Sequence, residues 1–187
     1  MPTALQKTYA ALQGRPLGKQ LFSAALCLKA PYFRTILPRV ISLEPGRGEA
    51  RMPDWWGVRN HLGTVHAIAC CNLAELVAGS TADLSMPASH RWIPKGMTVE
   101  YRKKAQGTLT AVATVEDLSM LTADQSRDVV VPVDVTDPSG TVVVHAEITM
   151  WVSPPLSLRP PRRRRRSPAR CPGSRPAASV CTGAAGW

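Results

Sequence analysis

The fold of this chain is decided by RNHLGTVHAIACCNLAELVAG, residues 59–79, which places one carboxylate, Glu75, inside an otherwise apolar helical segment. Between Ala67 and Ala78 only Asn72 and Glu75 are strongly polar. A helix that is apolar on every side belongs in a protein core. Ionised carboxylates are rarely buried without a partner or a task. The segment therefore predicts a buried central helix that carries a functional acid.

Capping residues predict where this helix begins and ends. Thr64 is a good N-cap and Gly79 is typical of the position after a helix C-terminus, so the helix is predicted to run from about Val65 to Ala78. His66 then falls in the first turn. Free backbone N–H groups and the positive end of the helix dipole lie there, and they favour an oxygen that carries negative charge.

His66 and Glu75 are too far apart on one helix to act on the same atom. Their separation in sequence corresponds to roughly 13 Å along the helix axis and about 180° around it. If the two cooperate, a second, antiparallel copy of the helix must supply one of them. The sequence therefore predicts a symmetric dimer.

Composition limits the class of protein. A chain of 187 residues is long enough for one domain with a proper core. We find no run of about 18 apolar residues that would predict a membrane span, and the N-terminus lacks the pattern of a secretory signal, so a cytoplasmic location is expected. The five cysteines match no paired zinc spacing, which predicts reduced thiols and no metal site.

The net charge of +10 comes mainly from the end of the chain. Residues 154–187 hold eight basic residues and no acidic one, which leaves residues 1–153 nearly neutral. This final segment is rich in Pro, Arg, Ser and Gly, and we predict a disordered tail that follows a single domain. Its arginine run leaves nucleic-acid binding as an alternative, but we do not favour nucleic acid as a partner.

The order of predicted elements indicates an α+β fold. Helical spacing at 3–13 and 19–29 is followed by two short strands, the central helix, a polar loop at 80–90 and a run of long alternating strands. Strands in this order form an antiparallel sheet that can wrap around the buried helix. The predicted strands are 39–44, 47–53, 91–105, 107–118, 127–136 and 141–152.

Three residues carry a resemblance to a known family. Asn60, His66 and Glu75, in the frame N-x5-H-x8-E, resemble the N…HGG…D/E signature of hotdog-fold acyl-CoA thioesterases of the phenylacetate-pathway type. The resemblance covers roughly residues 20–153. Three segments are similar to an uncharacterised bacterial branch of that superfamily: PYFRTILPRV (31–40), NHLGTVHAIACCNLAELVAG (60–79) and RWIPKGMTVEYRKKA (91–105).

This resemblance implies a hotdog fold, in which a curved antiparallel sheet wraps a long central helix and two subunits pair. It also implies that the chain hydrolyses an acyl-CoA-like thioester at the dimer interface. Glu75 would act as general base or nucleophile, the Ala67 N–H of the other subunit would polarise the thioester oxygen, and His66 and Asn60 would line the site. Where the family has Gly-Gly this chain has Ala67-Ile68. Alanine keeps the N–H, but Ile68 adds bulk that alters the acyl shape accepted.

Further residues are expected to contact the substrate. Gly63 and Thr64 precede the helix, and Ile68 lies in its first turn. Lys103 and Lys104 end a strand and could meet the phosphates of coenzyme A, although a solvated basic strand end explains them equally well.

Structural explanations stay open for the site residues. Glu75 could be a buried acid paired with an arginine. His66 could be a helix-start histidine that a backbone carbonyl satisfies, and Asn60 could be a turn residue that fixes the loop before the helix.

Three other functions compete with hydrolysis. One is a non-catalytic hotdog protein that binds acyl-CoA or lipid, and another is a hotdog hydroxyacyl-thioester dehydratase with His66 as base. The third is the nucleic-acid binder already described. No cofactor is expected beyond the CoA of the substrate, and whether dimers pair into tetramers is left open.

Overall fold

A computed structural model describes residues 3–118, 121–122 and 124–154 of the chain. These residues form three α-helices and one six-stranded sheet. The predicted disordered tail lies outside the described residues, apart from Pro154. The elements are α1 (Ala4–Leu12), α2 (Gly18–Lys29), a 3₁₀ segment (Pro31–Ile36), β1 (Arg39–Glu44), β2 (Arg47–Met52), a 3₁₀ turn (Trp56–Val58), α3 (Ala67–Ser85), β3 (Arg91–Tyr101), β4 (Leu109–Thr114), β5 (Arg127–Thr136) and β6 (Val142–Ser153).

The six strands are antiparallel and lie in the order β1-β2-β4-β5-β6-β3. Pro45-Gly46 joins β1 to β2, and Gly46 adopts a φ of +86°, in the left-handed region that favours glycine. A turn closed by hydrogen bonds of Asp137 joins β5 to β6. Alternate residues of β5 are buried, as its sequence alternation predicts. The predicted α+β class with one antiparallel sheet is confirmed.

The central helix α3 packs against all six strands. Leu73, Leu76 and Val77 are each at most 1% exposed, and inward residues of the strands surround them. Burial on this scale is the main source of stability, and truncation of one such leucine to alanine typically costs about 2–5 kcal/mol. The sheet therefore holds α3, and with it Glu75, in a fixed position.

The predicted ends of this helix are wrong. It begins two residues after the predicted start and ends seven residues after the predicted end, so the first half of the predicted loop at 80–90 is helical. Gly79 lies inside the helix, where a β-carbon would come within 2.5 Å of the Trp92 ring, so its glycine makes room for that ring. The buried hydroxyls of Thr81 and Ser85 donate to backbone carbonyls four residues earlier, at 2.6 and 2.7 Å, which satisfies them inside the helix.

The observed length of α3 also bears on the prediction that the chain has no membrane span. By length and composition alone α3 could cross a membrane, contrary to the expectation that no segment of the chain qualifies. Because most of the helix is buried inside this domain, the core of the fold explains its apolar character.

The N-terminal helices cover one edge of the sheet. Thr3 caps α1 with a capping box, as its sequence favours. Val40 N–H donates to Ser23 Oγ of α2, and Leu43 N–H donates to Tyr9 Oη of α1, both at 2.9 Å. These contacts occupy donors on the outer side of β1, so this edge is blocked. The opposite edge, β3, has no comparable cover among the described residues.

Candidate active site

The loop before α3 is a compact turn organised by Asn60. Its Oδ1 accepts from Leu62 N–H at 2.9 Å and Thr64 N–H at 3.2 Å, and its Nδ2 donates to Thr64 Oγ1 at 2.9 Å. Gly63 has a φ of +73°, which glycine adopts without strain. The Asn60 side chain is thus used within the turn, as the structural explanation for it describes. Its contact with a substrate, like that of Gly63 and Thr64, stays a prediction.

His66, rather than the predicted Thr64, is the N-cap of α3. Its Nδ1 accepts from Ile68 N–H at 3.1 Å and its carbonyl accepts from Ala69 N–H at 3.0 Å. Thr64 is unavailable because its side chain is engaged with Asn60. Because Nδ1 is an acceptor, the neutral His66 ring carries its proton on Nε2.

One backbone N–H in the first turn of α3 makes no hydrogen bond with the described residues. Ala67 N–H donates to no acceptor in the part of the chain that the structure describes, whereas Ile68 and Ala69 use theirs on His66. An unused N–H at a helix N-terminus is a fixed donor for an oxygen that gains negative charge. Ile68, the next residue, is 55% exposed, and its contact with a substrate stays a prediction.

The basic strand end lies next to the helix start. Val65 N–H donates to Ala105 O at 2.8 Å, which joins the loop to the segment that follows β3. Lys103 and Lys104, just before Ala105, are both exposed. Their contact with the phosphates of coenzyme A stays a prediction.

Glu75 lies beneath the edge strand β3. Cys71, Glu75 and Gly79 are four residues apart and share one helix face. Cys71 Sγ contacts Tyr101 Oη at 3.2 Å, and Gly79 lies against Trp92, so both ends of this face meet β3. Glu75, between them, is half-buried.

The Glu75 carboxylate makes no ion pair and no hydrogen bond with any described residue of its own chain. The arginine partner that a structural explanation requires is not found among them. The role of Glu75 as general base or nucleophile stays a prediction.

Within one chain the predicted residues form two groups. Asn60, Gly63, Thr64 and His66 lie in the turn and the cap that precede Ala67. Glu75, eight residues further along, lies about 12 Å away along the axis. One subunit therefore does not bring the acid to the amide.

The thiols differ in their surroundings. Burial raises the pKa of the Cys70 thiol to about 12, so it is a protonated core side chain at neutral pH. The hydrogen bond with Cys71 is the main reason that the pKa of Tyr101 rises to about 12.

In the described part of the chain, no group of three His, Cys, Asp or Glu side chains could hold a metal ion.

Asn72 is a buried polar residue of α3 that lies outside the predicted site. It is 6% exposed and lines a pocket of about 180 Å³ beside the helix start. The sequence contained the signal, because Asn72 and Glu75 are the strongly polar residues of an apolar segment.

A larger cavity of about 680 Å³ lies on the other side of the 3₁₀ segment, against α2. It includes Cys27, Arg34 and Arg39, but none of the predicted site residues lines it. Of the predicted site residues, His66 and Ile68 line the smaller pocket.

Comparisons with known proteins place this chain in a family. A model of the family described as "Domain of unknown function (DUF4442)" matches residues 18–152. A search of curated proteins gave no match.

Solved structures agree with the observed architecture. The genomics protein APC5556 has 46% sequence identity and a TM-score of 0.67, over 80% of this chain and 97% of that one. A Pseudomonas aeruginosa protein described as a probable thioesterase has 26% identity and a TM-score of 0.62, over 74% and 97%. A thioesterase from Haemophilus influenzae has 16% identity and a TM-score of 0.60, over 68% and 86%, a likeness of fold alone. The chain has the hotdog fold, and the resemblance seen in its sequence is confirmed.

Proposed function

Because the chain belongs to the DUF4442 family and is a thioesterase-like hotdog protein, we propose that it hydrolyses an acyl-CoA thioester at a site shared by two subunits. The observation that carries the proposal is that α3 bears both a free hydrogen-bond donor and a free acid. An unused amide donor, the Ala67 N–H, begins the helix, and an acid without a partner, Glu75, lies two turns along it.

The proposed reaction divides these groups between subunits. Glu75 of one subunit accepts a proton from water while the water oxygen attacks the thioester carbonyl carbon. The Ala67 N–H of the other subunit donates to the oxygen that becomes negative. When the tetrahedral intermediate collapses, the C–S bond breaks, and the departing thiolate takes a proton to leave a carboxylic acid and CoA. Direct attack by Glu75, with an anhydride that water then opens, is the variant of this scheme that stays open.

The two edges of the sheet support the dimer. The β1 edge is blocked by α1 and α2, whereas β3 pairs on one side only, with β6. Ile93 and Tyr101 of β3 are 52% and 53% exposed. A long edge strand with exposed apolar residues is a site for pairing with another chain. If two β3 strands pair antiparallel, the α3 helices beneath them also run antiparallel, and each Glu75 approaches the helix start of its partner.

The cap of α3 weakens the dehydratase alternative. A dehydratase histidine needs an unprotonated ring nitrogen to remove a proton from the substrate. In neutral His66 the Nδ1 lone pair is used by Ile68 N–H, and Nε2 carries the proton. His66 therefore presents a donor to the substrate, which suits recognition of an oxygen atom.

The test is Glu75→Gln in the full chain, assayed by release of free thiol from a panel of acyl-CoA esters. We expect kcat to fall by about 10²–10⁴-fold because the amide cannot take up a proton, while the dimer and the fold persist. Asp83→Asn is the matched control, since it makes the same acid-to-amide change elsewhere on α3 and should leave turnover intact.

Two outcomes would contradict the proposal. Unchanged turnover in the Glu75→Gln variant would remove the assignment of the base. Tight binding of acyl-CoA by the wild-type protein without thiol release would identify a non-catalytic binding protein.

A further inference from the structure

The cavity of about 680 Å³ against α2 is formed by three consecutive parts of the chain. Its walls come from the outer face of α2, from the 3₁₀ segment, and from residues 37–39, where β1 begins. Its volume falls within the range of about 300–1,000 Å³ that is typical of binding sites for small molecules. The cavity is therefore large enough to hold a ligand, and the proposed hydrolysis makes no use of it.

Most of the cavity wall is apolar. Leu28 of α2 is 81% exposed and Leu37 is 49% exposed, so both present apolar surface to water. The other apolar lining residues are Ala24, Pro31 and Pro38. Ser23 also lines the cavity, but its Oγ already donates to Lys19 O at 2.8 Å and accepts from Val40 N–H at 2.9 Å. An apolar ligand that covers the two leucines would gain the free energy of removing their surface from water.

Two arginines give the cavity a positive charge. Arg34 and Arg39 line it, and neither makes an ion pair with a described residue. Burial raises the pKa of the Cys27 thiol and the charge of Arg34 opposes that rise, so the guanidinium lies near the wall that Cys27 forms. The cross-strand neighbour of Arg39 is another cation, Arg51. Among the described residues no acid lines the cavity, and residues 1–43 hold six basic residues and no acidic one.

An apolar wall beside two arginines favours an amphipathic anion as the ligand. Guanidinium groups bind carboxylates through strong, charge-assisted hydrogen bonds. A nucleotide fits less well, because no aromatic side chain among the described residues lines the cavity to stack on a base. A second copy of the same face would bring arginines against arginines, which is unfavourable. An apolar chain that ends in a carboxylate suits both features of the wall.

We propose that this cavity binds a fatty acid, with the chain on the apolar wall and the carboxylate attracted by the positive charge of Arg34 and Arg39. At about 30 Å³ for each water-sized group, the cavity has room for about 20 such groups, which fits a chain of about ten to fourteen carbons. The proposal does not rest on the thioesterase function, because none of the predicted site residues lines this cavity.

The first experiment measures the affinity of the full chain for three compounds by calorimetry. Decanoate has the chain and the charge, decanol has the same chain without the charge, and butyrate has the charge with a short chain. We expect decanoate to bind and butyrate to bind about 100-fold more weakly, because butyrate covers little apolar surface. Absence of decanoate binding, or equal affinity for decanoate and butyrate, would overturn the proposal.

Substitution of the arginines tests the charge. Arg34→Gln combined with Arg39→Gln should weaken decanoate binding about 10-fold and leave decanol binding unchanged, since only decanoate carries a charge. Arg15→Gln is the matched control, because Arg15 is an exposed arginine that does not line the cavity. Equal losses for decanoate and decanol, or a loss of the same size in the Arg15→Gln variant, would contradict the role of the two arginines.

Substitution of one leucine tests the apolar wall. Leu28→Gln should weaken the binding of decanoate and of decanol about equally, and the fold should persist because Leu28 is exposed. Leu21→Gln is the control, since Leu21 is 56% exposed on the same helix but does not line the cavity. If Leu28→Gln leaves both affinities unchanged and instead alters the oligomeric state in gel filtration, this face is an interface between copies of the chain and the proposal fails.

The second experiment locates the bound acid through Cys27, which lines the cavity. The full chain is treated with N-ethylmaleimide, and the modification of each cysteine is followed by peptide mass spectrometry. Decanoate should slow the modification of Cys27 several-fold and leave that of Cys71, which lies against β3, unchanged. Protection of Cys71 without protection of Cys27 would place the acid near Glu75 instead and overturn the proposal. Neither experiment measures thioester hydrolysis, so loss of that function would leave this result intact.

Discussion

Replacement of Ala67 by proline would remove the proposed oxyanion donor and little else. Ala67 is the first residue of α3, a position where proline is favoured in helices. His66 before it has φ −65° and ψ 137°, the extended conformation that a residue preceding proline prefers. Since the Ala67 N–H donates to no described residue, its loss breaks no hydrogen bond of the fold. We therefore expect the stability of the variant to stay within about 1 kcal/mol of the wild type.

Turnover should respond very differently. Loss of one backbone donor to a developing oxyanion typically costs about 2.7–4 kcal/mol of transition-state stabilisation, or about 10²–10³-fold in kcat. The measurement is release of free thiol from the best acyl-CoA ester of the panel, with urea denaturation on the same samples. Because the donor acts mainly on the transition state, the change should appear in kcat more than in KM.

Ala4→Pro provides the matched control. Ala4 is the first residue of α1, and its N-cap Thr3 has φ −62° and ψ 164°, so the substitution is geometrically equivalent but lies outside the site. It should leave kcat unchanged. A stable Ala67→Pro dimer that retains the wild-type kcat would refute the assignment of this amide as the oxyanion donor.

Two other substitutions test the fold and the substrate. Gly79→Ala should destabilise the protein by about 1–3 kcal/mol in urea denaturation, because the new methyl group meets the Trp92 ring at 2.5 Å; a gain in stability, as for an exposed helical glycine, would contradict this packing. Lys103→Ala combined with Lys104→Ala should raise KM for CoA esters several-fold at low salt and less at high salt, since each exposed charge contributes about 0.2–1 kcal/mol. KM for N-acetylcysteamine thioesters, which lack the phosphates, should stay constant, and an equal rise for both substrates would argue against phosphate binding.

The strands and the burial of the central helix were predictable from the sequence because they depend on hydrophobic periodicity. The alternation in β5 and the apolar segment around Leu73 correspond directly to what the structure buries. The helix ends were not predictable in this way. Gly79 resembles a C-cap in sequence, and its role as space for the Trp92 ring depends on a strand that begins twelve residues later.

The residues of the candidate site were likewise predictable only in part. The single acid of an apolar helix pointed to Glu75, and the resemblance to the thioesterase family pointed to the amide at Ala67. Thr64 was assigned as the cap because nothing in the sequence indicates that Asn60 engages its hydroxyl. The burial of Asn72 and its unsatisfied Oδ1 depend on contacts across the fold, so the sequence could not predict them.

The central claim is that two α3 helices lie antiparallel, with Ala67 of each opposite Glu75 of the other. In that register Cys71, midway between them, lies opposite Cys71 of the partner subunit. At the usual interaxial distance of about 8–10 Å, the two thiols would be within reach of a short bis-maleimide. Cys71 is half-buried at the β3 face, whereas Cys27 lies on α2.

Cross-linking of single-cysteine variants measures this register directly. One variant retains Cys71 alone and its control retains Cys27 alone, with the other cysteines replaced by alanine and dimerisation checked by gel filtration. Our account predicts that the bis-maleimide links the Cys71 variant into a covalent dimer and leaves the Cys27 variant monomeric on a denaturing gel. A dimer in solution whose Cys71 thiols do not cross-link, or a chain that is folded and active as a monomer, would contradict it.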